Sequence, residues 1–371
     1  MNKNRLIIYV SVFLIMAMSN SVIPVLPEIA AAGNVSSGTI KYTLLFSGYF
    51  IGALLTMIPF GFLADIYNKT RIIYASIALT FFAGLILIIT DNIYLLIAAR
   101  LIEGIACGAF FPPAYALLSG FRHKNRYIGE FNFLLNAGLA TGVLVSSFIA
   151  DWSVKGALVL FTGTTAIIFI FSIVAVLTEK KPEKMRVKQF SPLKETKKAF
   201  NTIFNKNFMR IWITAFLIFG ITGVMLAFYS DYSKDFLSKP ELGIIIAVLY
   251  ASSMATNLVV GRINVNFRKM IFAGIIITAA GIIFSISHPF IGFTLIGIGS
   301  GTGMIGLPVA VSHMPCDRGL AMGIFNTYTY AGLAFMPLLA GLFINLGYPL
   351  IFTLTACVML LTLFIKDRFY S

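Results

Sequence analysis

Charge is what this sequence lacks. Of its 371 residues only 11% are Asp, Glu, Lys or Arg, whereas soluble domains carry about a quarter. That deficit argues against a water-soluble enzyme. Cysteine and histidine are scarce as well. Cys107, Cys316 and Cys357 have no redox or metal-ligand spacing, and His123, His288 and His313 are scattered. No zinc or redox centre is expected from such positions, and no cofactor. The absence of a phosphate-binding P-loop argues against ATP-driven work by this chain alone. One dinucleotide-type pattern, Gly301-Thr-Gly303-Met-Ile-Gly306, lies inside an apolar run with no preceding strand. Close helix packing explains it better. No acid–His–nucleophile arrangement is visible, so an enzyme is not expected.

Apolar sequence is what remains: 58% of residues are hydrophobic and the mean hydropathy is +0.91. A helix crossing a bilayer needs about 20 apolar residues, so twelve would use about 240. Apolar runs separated by polar punctuation fall near residues 6–31, 41–63, 72–90, 93–118, 128–150, 157–178, 209–230, 241–262, 270–287, 290–313, 320–345 and 347–365. Most are too long for strands and lack the alternation of a membrane barrel. The expectation is an all-α integral membrane protein of twelve transmembrane helices. Its first run, after the basic start Met1–Arg5, reads as an uncleaved span, because no small-residue cleavage site precedes a soluble domain.

The formal charge of +14 does not point to nucleic acid, because the basic residues sit in short clusters between apolar runs. With the N-terminus cytoplasmic, 23 Lys and Arg fall inside and four outside (Lys41, Lys155, Lys234 and Lys239), while Arg100 lies within a span. Such asymmetry sets topology and places both termini in the cytoplasm of a cell whose plasma membrane the chain crosses. Residues 179–208, rich in Lys with Pro182 and Pro192, then form a basic cytoplasmic linker. It divides an N-terminal six-helix part, 1–178, from a C-terminal one, 209–371.

An internal repeat links the two parts. Gly104-x-x-x-Gly108 with Pro113 recurs as Gly299-x-x-x-Gly303 with Pro308, offset by 195 residues. Gly129-x-Phe131-Asn132 and Ala137-Gly138-Leu139-Ala140 recur as Gly323-x-Phe325-Asn326 and Ala331-Gly332-Leu333-Ala334, offset by 194. An even number of spans per repeat makes the two halves parallel, a plan that puts a small-molecule site between repeats near the midplane. Gly104, Gly108, Gly138, Gly142, Gly299 and Gly303 are small residues four apart, which let helices approach closely.

Three segments carry the chemistry. The loop Gly61-Phe-Leu63-Ala-Asp65-Ile-Tyr-Asn68-Lys69-Thr-Arg71 puts a carboxylate at a helix end with two cations in the following turn. It resembles the Gly-x-Leu-x-Asp-Arg-x-Gly-Arg-Lys signature of the major facilitator superfamily. Ile66 stands for the usual Arg, and Asn68 for the usual Gly, a residue that still tolerates a left-handed turn. Arg100-Leu-Ile-Glu103-Gly104 resembles the family's Arg-x-x-Gln-Gly segment. Asn136 to Ser147, containing Gly138 and Gly142, weakly resembles its antiporter-associated glycine segment, with Val143 in place of Pro.

The resemblance implies the major facilitator fold, two parallel six-helix halves, with alternating access and proton exchange as the commonest coupling. It makes Gly61, Asp65, Lys69 and Arg71 a cytoplasmic gating loop. Entering near Ile93, a helix puts Arg100 about 10 Å deep and Glu103 about 15 Å deep at 1.5 Å per residue. Ionisable residues at that depth are functional candidates. Two readings stay open: Glu103 exchanges a proton under the influence of Arg100, or the two form a permanent structural pair. Pro24 and Pro27 are expected to kink the first span, making Asn20 a candidate cavity contact, while Glu28 reads as a solvated acid at the outer mouth. Asn136 and Tyr330, which occupy the same place in the repeat, are the other cavity candidates. The expected activity is proton-coupled efflux of lipophilic or amphipathic compounds by a monomer among membrane lipids. The alternatives are uptake of a metabolite such as an organic anion, with Arg100 as counter-charge, and a non-transporting sensor.

Overall fold

A computed structural model describes residues 3–36, 38–121, 124–178, 208–260, 266–313 and 318–364. The expected linker, 179–208, lies outside them except for Phe208. The described residues form thirteen α-helices and two short 3-10 turns, with no strand. In chain order the helices are α1 (Lys3–Ser21), α2 (Leu26–Ala32), α3 (Ile40–Ile66), α4 (Lys69–Ile89), α5 (Ile93–Ser119), α6 (Lys124–Ile149) and α7 (Gly156–Thr178). After the linker come α8 (Met209–Tyr232), α9 (Lys239–Val260), α10 (Phe267–Ser287), α11 (Pro289–Ser312), α12 (Arg318–Gly341) and α13 (Tyr348–Leu361). Among the described residues nine helices are long and apolar enough to cross a membrane, and α1 with α2 makes a tenth span broken by 63°. The break falls at Pro24 and Pro27, whose rings remove two N–H donors and obstruct the preceding turn. Large apolar side chains such as Leu55, Ile89 and Phe171 lie exposed on the helix surfaces, as hydrocarbon contact requires.

Several spans start at a side-chain cap. The Asn68 side chain accepts from the Thr70 amide at 2.9 Å, Asn92 from Tyr94 at 3.0 Å and Asn266 from Arg268 at 2.9 Å. Each satisfies one of the amides that a helix start leaves without a partner. The expectation for Asn68 needs correction here. Its φ is −63°, so it makes no left-handed turn; capping α4 is the reason an Asn suits this loop.

The chain divides into two compact units, one of residues 1–188 with 233–247 and the other of 189–232 with 248–371. Helix α9 therefore contributes its first turns to the first unit and the remainder to the second. In the first unit a side chain on Gly104 would overlap the Tyr49 carbonyl of α3, and one on Gly108 would meet Thr56 and the Ala53 carbonyl. Gly138 and Gly142 of α6 likewise lie against the Phe13 and Ala17 carbonyls of α1. In the second unit Gly332 of α12 sits on the Phe216 carbonyl of α8 in the same manner.

The register of α11 differs from the sequence match. Gly297 and Gly301 lie on the Leu249 and Ser253 carbonyls of α9 as Gly104 and Gly108 lie on those of α3. Gly299 instead faces Gly274 and Thr278 of α10, and Gly303 faces Ile218 of α8. By packing, the partners of Gly104 and Gly108 are two residues earlier than the repeated motif suggests. Overfilling such contacts costs about 1–3 kcal/mol. Gly142→Ala is expected to lower thermal stability in detergent by that amount. Gly163→Ala in α7, where an added methyl meets nothing within 4 Å, is expected to stay within about 0.5 kcal/mol of the parent.

Candidate functional site

The site is built around the break in the first span. A helix end leaves carbonyls without intrahelical partners, and inside a membrane there is no water to satisfy them. The Ile23 amide turns back to the Asn20 carbonyl at 3.1 Å. Arg100 donates from Nη1 to Ser19 O at 3.3 Å. The Ser146 hydroxyl of α6 donates to Ser21 O at 2.5 Å, and Lys239 Nζ of α9 donates to Pro24 O at 2.8 Å. Three helices thus supply donors to one interrupted backbone.

Arg100 is the centre of the arrangement. Its Nε donates to the Leu45 carbonyl of α3 at 3.2 Å, and its Nη1 lies 2.5 Å from Glu103 Oε2. Its guanidinium carbon sits 5.1 Å from the centre of the Tyr49 ring. Both charged residues are fully buried, at 1% and 0% exposure. The second carboxylate oxygen, Glu103 Oε1, has no hydrogen-bond partner among the described residues. Burying such an acceptor unsatisfied costs about 1–3 kcal/mol, and more for a charged group. The i, i+3 spacing on one helix is what brings the pair together.

The other candidates are placed as follows. Asn20 is 4% exposed and its amide donates to the Leu139 carbonyl of α6 at 3.3 Å, so it faces a neighbouring helix and not open space. Asn136 is half-exposed on α6 and donates to the Asn132 carbonyl at 2.9 Å. One turn earlier the Asn132 side chain accepts from the Tyr115 hydroxyl of α5 at 2.8 Å. Tyr330 is half-exposed on α12, which carries the polar run Asn326 to Tyr330. Gly61 lies near the end of α3 with Pro112 3.9 Å from where its side chain would begin. Asp65 is in the last turn of α3, its side chain outside the described residues; Lys69 and Arg71 open α4.

Sequence reasoning missed several participants. Glu28, read as a solvated acid, is ion-paired: its Oε1 lies 2.6 Å from Lys239 Nζ. Asp231 at the end of α8 is 5% exposed and accepts a hydrogen bond from the Tyr348 hydroxyl of α13. Its only signal was a place one residue beyond an apolar run. Glu130 of α6 joins Arg126 on its own helix, at 2.7 Å, to the Tyr9 hydroxyl of α1, also at 2.7 Å.

These features sit in a chain whose sequence matches the profile of the Major Facilitator Superfamily over residues 8–236 and 211–368. The chain belongs to that superfamily. As a facilitator it is a membrane-embedded transporter with a small-molecule substrate. It is 25% identical over 359 residues to an uncharacterised MFS-type transporter, MJ1560, of Methanocaldococcus jannaschii, covering 90% of this chain and 89% of that one. It is 21% identical over 353 residues to multidrug resistance protein 2 of Bacillus subtilis, covering 89% and 86%. A crystal structure of a variant of the nucleoside transporter NupG superimposes with a TM-score of 0.79, at 15% identity over 100% of both chains. That likeness establishes the fold of this facilitator and nothing of its substrate.

Proposed function

We propose that this facilitator exports lipophilic or amphipathic compounds in exchange for protons across the plasma membrane, with Glu103 as the proton-exchanging group. Twelve spans in two six-helix halves, with both termini cytoplasmic, rock about a central site in alternating access. The observation that carries the reading is the fully buried Arg100–Glu103 pair with one carboxylate oxygen unpartnered. Ionisable residues buried within a span are costly and mark ion pathways and proton relays. Similarity over most of its length to a multidrug resistance protein supports export. Arg100 is already occupied by Glu103 and two carbonyls, which argues against its use as counter-charge for an organic anion.

Within this reading Asn136 and Tyr330 touch the substrate, whereas Asn20 steadies the break in the first span. Gly61, Asp65, Lys69 and Arg71 act as a cytoplasmic latch. The test is a panel of lipophilic, amphipathic and anionic compounds applied to reconstituted vesicles under an imposed pH gradient. Proton flux triggered by a lipophilic or amphipathic compound is the expected result. Saturable transport with no accompanying proton flux sinks the coupling, and a persistent unsaturable current sinks the carrier.

A further inference from the structure

We propose that Tyr49 is a positioning residue for proton exchange at Glu103: its ring holds the Arg100 guanidinium in the orientation that meets a single carboxylate oxygen. This rests on the proton-exchange reading of Glu103 given above. Tyr49 is 3% exposed, and its ring centre lies 5.1 Å from the guanidinium carbon. A cation over an aromatic face is attracted by the ring quadrupole, most strongly where water is excluded. The donors of a guanidinium lie in its plane. Nε and Nη1 meet the Leu45 and Ser19 carbonyls, so these bonds fix the group within its plane while the ring covers a face. Nη1 then reaches Glu103 Oε2, and Oε1 has no partner among the described residues.

The ring is placed by the backbone of α3. Leu45 and Tyr49 are about one turn apart on that helix, so one element supplies both an in-plane acceptor and the ring. Close contact between α3 and α5 leaves little play. A side chain on Gly48 would begin 3.4 Å from Arg100 Cβ, one on Gly52 would overlap the Leu101 carbonyl, and one on Gly104 the Tyr49 carbonyl. Phe50 meets the Tyr49 ring edge-on, at 5.1 Å and 89°. The second unit adds an independent observation. Gly297 lies on the Leu249 carbonyl as Gly104 lies on that of Tyr49, which equates Leu249 with Tyr49 and Phe293 with Arg100. Both Leu249 and Phe293 are buried. The unit without the cation is without the ring: the two features occur together.

A guanidinium free to tilt presents two parallel N–H bonds to a carboxylate, the geometry of the strongest such pairs. Without the ring, Arg100 is expected to take both oxygens of Glu103, which holds the carboxylate ionised and makes its protonation harder. Among the described residues Arg100 is the charged group acting on Glu103. The helices packed on α5 are α1, α3, α4 and α6. Of these α3 brings Tyr49, and no titratable group of α1, α4 or α6 acts on Glu103 among the described residues. On its own helix Cys107 lies one turn further on.

The experiment uses the full chain in phosphatidylethanolamine–phosphatidylglycerol vesicles and needs no transported compound. Infrared difference spectra across a pH series follow the band of a protonated carboxyl group, and Glu103→Gln identifies the part due to Glu103. Tyr49→Leu is expected to need at least about fivefold more protons than the parent for half-protonation, and Tyr49→Phe, which keeps the ring, to stay within about twofold. Phenylalanine analogues with progressively more ring fluorine, placed at position 49, keep the shape of the side chain while weakening the negative charge on its face. They should move the titration step by step in the same direction, and they decide the matter where Tyr49→Leu fails to fold. A titration that stays in place in Tyr49→Leu, or through the fluorinated series, overturns the role of Tyr49 and leaves Glu103 as proton carrier. An equal shift in Tyr49→Phe assigns the effect to the hydroxyl and overturns the role of the ring. If no band is removed by Glu103→Gln, the proton-exchange reading itself fails, and the role of Tyr49 with it.

Discussion

Glu103→Gln is expected to abolish proton-driven transport while preserving exchange of unlabelled for labelled substrate. Gln keeps the size of the side chain and can still accept from Arg100, but it cannot take up or release a proton. A coupling free energy of about 1–3 kcal/mol corresponds to about 5–150-fold between linked sites. The pH gradient should therefore lose at least a fivefold stimulation of transport in the variant. Exchange needs only the movement of the loaded carrier, so its rate should stay within about twofold of the parent. A variant that loses exchange as severely as gradient-driven transport has lost its structure, and a variant that keeps both assigns Glu103 a structural role alone.

Arg100→Leu is expected to be the most destabilising single change in the first unit. It leaves the Glu103 carboxylate buried without its partner and deprives the Ser19 and Leu45 carbonyls of a donor. Removing one member of a buried pair costs about 3–5 kcal/mol, whereas replacing both by apolar residues is often neutral. Arg100→Leu with Glu103→Leu should accordingly recover much of the thermal stability in detergent that Arg100→Leu loses. Arg100→Lys should fail to restore the parent value, because an ammonium on a flexible stem does not reproduce a planar fork with three acceptors. The second unit supplies a natural comparison. At the positions that packing equates with Arg100 and Glu103 it holds Phe293 and Ile296, both fully buried. The second unit thus carries an apolar pair where the first carries a charged one.

What could be read in advance was whatever a side chain announces by itself. Twenty-residue apolar runs announce spans, prolines announce the break at residues 22–25, and an Arg and a Glu inside such a run announce a pair at helical spacing. The acceptors of Arg100 could not be read, because Ser19 and Leu45 contribute backbone carbonyls, which every residue has. Lys239 was legible only as a topology signal; its ion pair with Glu28 spans more than two hundred positions and depends on tertiary folding. Asn68 was judged by conformational tolerance when its side chain was needed as a cap. Gly297 and Gly301 were overlooked in favour of Gly299 and Gly303 because a motif match counts identities, whereas packing depends on which helix face meets a carbonyl. Asp231 sits one position past an apolar run, and its contact with Tyr348 depends on tertiary folding.

Proton release on binding tests the central claim most directly. The purified protein, in weakly buffered detergent solution, is mixed with the compound that triggers proton flux in vesicles, and the pH is followed. The native chain is expected to release protons in proportion to the bound compound, and Glu103→Gln to bind the compound and release none. Equal proton release from both proteins would contradict the assignment of the exchanged proton to Glu103.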